Sequence, residues 1–171
     1  MGEQEVLLKI SIMGVPNELR NKLARSYAEG KFDTNYLPTL GVDLLTHHTE
    51  VDGQPVLQIL ANLAGQEFFV KDRPKYIRGS SGVIIIFDKS DHESFKAARG
   101  FYNEFKRFIP DPEVPIVFIG IETGSEVITT KEGQTLARVL NGTYYEMKPI
   151  EKRIFASAIL EITRIILESK K

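Results

Sequence analysis

The chain has 171 residues, 42% of them hydrophobic and 26% charged, with a net charge of −1 at pH 7. That length suits one domain with a substantial core, and the near-neutral charge gives no electrostatic basis for binding nucleic acid or an anionic membrane surface. Cysteine is absent, so the sequence offers no disulfide, no thiol chemistry, no cysteine-ligated zinc and no prenylation site.

Val6–Met13 is apolar with a weak alternation and reads as a first strand ending at Gly14. From Asn17 to Tyr27 the period changes. Leu19, Leu23 and Tyr27 fall at i, i+4 and i+8, one stripe of a helix, with Asn17 as its expected N-cap and Gly30 as its stop. Phe32–Gly41 is turn-rich around Pro38 and is expected to cross the surface. Val42–Val51 and Pro55–Ala61 read as strands joined at Asp52–Gly53, a strong hairpin signal. Gly82–Phe87 (GVIIIF) is a short continuous apolar run, the signature of a strand buried on both faces, and a polar, glycine-punctuated loop at Ala64–Glu67 precedes it. Asp91–Ile109 carries Phe95, Ala98, Phe101, Tyr102, Phe105 and Phe108 at helical spacing, and Pro110, Pro112 and Pro115 close it. A strand at Ile116–Ile119, a helix from Thr129 or Thr130 to Leu140, a strand at Thr143–Met147 and a last helix starting at Pro149 complete the chain. The last helix has its stripe at Phe155, Ala158, Ile159, Ile162 and Ile166. Alternating strands and helices with one early hairpin specify a three-layer α/β domain on a mostly parallel sheet, covering residues 1–171.

Ala64–Gly65–Gln66–Glu67 and the text from Tyr76 to Phe95, YIRGSSGVIIIFDKSDHESF, resemble the second switch and following strand of Ras-superfamily small GTPases, Rab proteins in particular. The similarity extends over nearly the whole chain. It implies the three-layer P-loop NTPase (Ras-like) fold, with a mostly parallel six-stranded sheet and one antiparallel edge strand.

In that family the first strand runs into a phosphate-wrapping loop written GxxxxGK[ST], in which the lysine neutralises charge and the hydroxyl holds Mg²⁺. Here the matching text is GVPNELRN, Gly14–Asn21. Gly14 is kept, Leu19 stands for the second glycine, Arg20 for the lysine and Asn21 for the hydroxyl. The DxxG aspartate is Asn62, an amide that brings no negative charge to Mg²⁺. The guanine-selective NKxD reads Ile121–Glu122–Thr123–Gly124, and SAK reads Lys148–Pro149–Ile150. Gly14, Arg20, Asn21, Thr39, Asn62 and Gly65 are therefore a degenerate cofactor-binding set, and the resemblance implies a pseudo-GTPase with no cofactor or metal. Glu18 in the first helical turn favours a helix start satisfied by protein and repels phosphate. Arg20 is expected at the solvated surface, the commonest place for a charged helical residue, although a guanidinium can also take an anion.

The first switch is resembled by Tyr36–Gly41, with Thr39 where the family senses γ-phosphate, and the second by Gly65–Gln66, whose glutamine would orient the attacking water. These stretches are either retained connections of the fold or a surface that meets a protein partner. For the second reading the candidate contacts are Leu37, Thr39, Leu44, Gln66, Phe68, Phe69 and Tyr76 on the switch and hairpin surface. Leu44, Ala61 and Tyr76 match a Rab-type aromatic trio of which only the tyrosine remains. Phe68–Phe69 leaves one ring exposed as an anchor, or both partly buried in a helical turn. The alternative function is a small GTPase that binds GTP or GDP with Mg²⁺ through an atypical loop and hydrolyses it slowly, with Gln66 as its catalytic residue. His47–His48 is a weak metal candidate, because neighbouring strand residues face opposite sides. Met1–Lys9 has no signal-peptide run and nothing approaches a membrane span. The expectation is a cytoplasmic protein with a protein partner, no nucleic acid and no stable membrane anchor.

Overall fold

The computed structural model describes residues 4–28, 30–31, 42–65 and 71–171. Gly82–Phe87 and Ile116–Ile121 are near-continuous apolar runs buried at every position, so these strands bury both faces and require helices on each side. Strand β1 (Val6–Gly14) lies mid-sheet, parallel to β4 (Gln54–Leu63) on one side and to β5 (Gly82–Asp88) on the other. Beyond β5, β6 (Ile116–Ile121) and β7 (Thr143–Met147) continue in parallel. Strand β3 (Val42–Val51) turns back through the Asp52–Gly53 hairpin and pairs antiparallel with β4 from Val42↔Leu63 to Val51↔Gln54. These six strands are mostly parallel with one antiparallel member, as the resemblance implied. A two-residue ribbon, β2 (Gly30–Lys31), adds to the outside of β3 opposite Leu45 and Thr46.

Alternate residues of each strand feed two cores. On one face Ile10, Ile12, Leu60, Ile84, Ile86 and Ile119 pack under α1 (Asn17–Tyr27) and α5 (Lys152–Ser169). On the other, Met13, Ile85, Phe87 and Phe118 pack under α3 (His92–Phe108) and α4 (Thr130–Val139). The α5 stripe of Phe155, Ala158, Ile159, Ile162 and Ile166 is buried as its spacing requires. A buried polar chain crosses the first face: the Tyr27 hydroxyl donates to Gln58 Oε1 at 2.5 Å, and Gln58 Nε2 donates to Thr163 Oγ1 at 3.0 Å.

Some expected boundaries shift for identifiable reasons. The N-cap of α1 is Pro16, not Asn17, whose side chain is engaged elsewhere. Helix α1 ends at Tyr27 with Ala28 extended, so Gly30 opens β2 instead of stopping the helix. Helix α5 begins at Lys152 rather than Pro149, because the turn at Lys148–Glu151 closes on itself, Glu151 N–H donating to Lys148 C=O at 2.9 Å. The short α2 (Arg73–Ile77), which carries Pro74 in its first turn, had no helical stripe long enough to announce it. No helix among the described residues is long and apolar enough to cross a membrane.

Gly14 ends β1 at φ +115°, and a Cβ there would lie 2.2 Å from the Ile86 carbonyl oxygen. Only glycine reaches this conformation without strain, and only glycine lets β1 and β5 approach so closely. Gly14→Ala is expected to lower stability by about 3 kcal/mol or more, from left-handed strain plus overpacking, measured as the midpoint of urea unfolding.

Candidate functional site

In open parallel sheets the carboxyl ends of the strands are where ligands bind. The exit of β1 into α1 and the end of β4 meet at that edge, and three asparagine side chains and the Gly14 carbonyl converge there on the guanidinium of Arg20. Arg20 is 1% exposed, which overturns its expected place at the surface. Its Nη1 donates to the Gly14 carbonyl at 2.6 Å and to Asn17 Oδ1 at 2.5 Å, its Nε to Asn62 Oδ1 at 2.7 Å, and its Nη2 to Asn21 Oδ1 at 3.3 Å. The two other asparagines are linked as well: Asn62 Nδ2 donates to Asn21 Oδ1 at 2.8 Å. Asn17 Oδ1 also accepts from the backbone N–H of Gly65 at 3.0 Å. A planar guanidinium with donors in a fixed fork is suited to holding several acceptors in one plane, which a lysine ammonium does less well.

The structure thus brings Gly14, Arg20, Asn21, Asn62 and Gly65 together, five of the six candidate cofactor-binding positions. Thr39, the sixth, lies outside the described residues, as do Leu37, Gln66, Phe68 and Phe69. Leu44 and Tyr76 stand apart from the cluster, both half-buried against the α3-side core, and Ala61 beside Leu44 is fully buried. Glu18 is exposed in the first turn of α1, where the helix dipole favours it. His47 packs on the Tyr27 ring at 4.4 Å between centroids, while His48 Nδ1 lies 2.9 Å from Glu5 Oε2. Among the described residues no group of three or more acidic or histidine side chains could hold a metal ion.

Two further anchors were not legible as motifs. Arg73 is buried: its Nε donates to both Glu104 oxygens at 3.0 Å, its Nη1 donates to the Ala64 carbonyl at 3.0 Å, and its guanidinium sits 5.7 Å from the Phe101 ring centroid. It fastens the exit of β4 to α3. At the other end of the same edge Lys89, 1% exposed, bonds to Glu126, lies 2.9 Å from Glu146 and 3.6 Å from Glu122, and reaches Thr130 Oγ1 at 3.5 Å. Its carbonyl accepts from the N–H groups of Val127 and Ile128, so one residue anchors the end of the loop between β6 and α4 by its backbone as well as its side chain. Asp88 beside it accepts from Ser90 N–H and from the Ser90 and Thr123 hydroxyls at 2.6–2.9 Å. The Lys148 N–H donates to Glu151 Oε1 at 2.9 Å. The signal that could have found the hub was a lysine ending an apolar strand run, followed by several glutamates.

The Ras family sequence profile matches residues 9–168. The chain belongs to the Ras family. Its relatives include Ras-related protein RabC of Dictyostelium discoideum, 27% identical over 98% of this chain and 90% of that protein. Human Ras-related protein Rab-9A is 30% identical over 99% and 88%, and Rab-18 of Lymnaea stagnalis is 32% identical over 81% and 70%. The protein is thus a Rab/Ras-like member of the small-GTPase superfamily, whose members normally bind GTP or GDP with Mg²⁺ and engage effector proteins.

Removing the Arg20 fork strands buried acceptors, each at a cost of about 1–3 kcal/mol. Arg20→Ala is therefore expected to lose about 3 kcal/mol in urea unfolding, and Arg20→Lys, which cannot span the same acceptors, to recover less than half of it.

The Lys89 hub carries a pH signature. Burial lowers the Lys89 ammonium, but hydrogen bonds and attraction from Glu126 and Glu146 outweigh it and leave the group above its ordinary value. Burial and the bond to Glu146 raise Tyr144 strongly. Burial raises Glu146 and Asp88, yet Tyr144, Lys89 and Thr130 around Glu146, and Ser90 and Thr123 around Asp88, pull both below the usual carboxylate range. Groups raised on folding add stability below the unfolded-chain value and lose it as pH rises through the folded one. Lowered carboxyls add stability above that value and lose it as pH falls. Stability is expected to fall below about pH 4 and above about pH 10, and Lys89→Met should flatten the alkaline limb, read from Tm against pH.

Proposed function

We propose that this chain is a Ras/Rab-like pseudo-GTPase: one Ras-like domain over residues 1–171 that works as a protein-interaction or scaffolding module instead of a nucleotide switch. The observation that carries this reading is the buried Arg20 guanidinium. It donates to the carbonyl of Gly14 and to side chains at the positions that match the family's hydroxyl and metal-side aspartate. Those residues do not fit MgGTP. Asn62 Oδ1 and Asn21 Oδ1 already accept from N–H donors, neither is a carboxylate, and a guanidinium between them repels a divalent cation. The base end points the same way, with Glu122 facing Lys89 and the Lys148 N–H taken by Glu151. The candidate binding residues remain Gly14, Arg20, Asn21, Thr39, Asn62 and Gly65, as remnants of a site.

Within this reading the partner is a protein that docks on the switch and hairpin surface, through Leu37, Thr39, Leu44, Gln66, Phe68, Phe69 and Tyr76. Asn17 on Gly65 and Arg73 on Ala64 hold the described entry to the second switch in one arrangement, which supports a surface fixed without ligand. A second reading is supported by Gly14, which keeps its left-handed turn. In it, Arg20 swings out, GTP or GDP with Mg²⁺ enters, and Gln66 orients the attacking water.

A thermal-shift titration with GTP, GDP and ATP, each with and without Mg²⁺, separates the two. Ligand at about a hundredfold above Kd adds roughly 2.7 kcal/mol to the native state. No shift with any nucleotide is expected; a Mg²⁺-dependent shift with GTP would overturn the reading.

A further inference from the structure

Helices α3 and α4 lie side by side on the sheet face opposite α1, and between them runs a groove of about 560 Å³. Its floor is apolar. Phe95 is fixed there by edge-to-face contact with Phe87 at 5.0 Å, Leu136 packs beside it, and Val139 is 59% exposed at the far end. A valine that open on a helix otherwise made of polar and buried residues invites cover. The rim is cationic. Arg99 on α3 and Lys131 on α4 line the groove and enter no ion pair among the described residues. The one acid on the rim, Glu132, is committed to the helix start, where its Oε2 accepts from Thr129 N–H at 3.0 Å within a capping box. Arg138, exposed, continues the stripe of Lys131 two turns along α4.

We propose that this groove is a second docking surface, separate from the switch side, and that its occupant is an acidic amphipathic helix of a partner protein. Apolar residues at i, i+3 or i+4 and i+7 lie over Phe95, Leu136 and Val139, and flanking carboxylates meet Arg99 and Lys131. The ten residues of α4 span about 15 Å, which matches roughly three turns of a bound helix. An interface of that extent belongs to the small, transient class, with charge setting specificity and on-rate more than affinity. The surface makes no use of Arg20 or of any nucleotide, so it stands or falls independently of the pseudo-GTPase reading.

The test is selection of a displayed library of randomised three-turn peptides on the full chain, followed by binding of the enriched peptides to Arg99→Glu/Lys131→Glu and to Val139→Asp. All three positions lie on the surface, and Tm measurements establish that the variants fold. The expected result is enrichment of net-negative peptides with apolar residues at helical spacing, which bind the double charge reversal at least about tenfold more weakly. The same peptides should also lose binding to Val139→Asp. Enrichment of basic or neutral sequences, equal binding to wild type and variants, or no enrichment at all would overturn the proposal.

Discussion

A guanidinium taken almost wholly out of water must have its donors satisfied, and the fork of Arg20 sets what the residues around it can do. Gly14, Asn17, Asn21 and Asn62 each present an oxygen to it. The Gly14 carbonyl belongs to the end of β1, Asn62 to the end of β4, and Asn17 and Asn21 to the first turns of α1. One side chain therefore joins the two strands to the helix that follows the first of them. Asn17 passes the constraint on to the backbone of Gly65, from which the second switch-like segment departs. The price of burying the cation is offset only while these acceptors stay together, so the edge of the sheet is held as a unit.

The other end of the edge is organised by the same logic, with carboxylates in place of amide and backbone oxygens around the buried cation. Three carboxylates surround Lys89, and the cation accepts burial because they are within reach. At the exit of β4, Arg73 ties the Ala64 carbonyl to Glu104 on α3. This Ras-family sheet thus has buried polar groups at its carboxyl edge, around Arg20, Arg73 and Lys89, that are answered by other groups of the same chain. Such networks are stable when complete and vulnerable when one member is lost, because each leftover group is then buried without its partner.

The fold was legible because its signals are periodic. The GVIIIF run could only be a strand covered on both faces, and the α5 stripe could only face a core. The stretches that match the family's motif text could be located too, since they follow from spacing along the chain. Whether a given side chain points inward was not legible. Arg20 reads as a surface cation by composition, and its burial follows from three asparagines, one of them, Asn62, forty-two residues away on β4, that become its acceptors only in the folded chain. Asn17 likewise looked like a helix cap, since an amide before a helix usually is one, but long-range partners outbid the local bond. Lys89 and its glutamates come from the residue after β5, from β7 and from the loop between β6 and α4, and no short sequence window contains them all.

The most direct measurement is hydrogen exchange by NMR at two protons, Arg20 Nε–H and the backbone N–H of Gly65, in the free protein and with millimolar MgGTP. If Arg20 and Asn17 fill this edge of the sheet, both protons are protected in the free protein and stay so when nucleotide is added. Exchange at the rate of an unstructured peptide, or protection that changes on adding MgGTP, would contradict it.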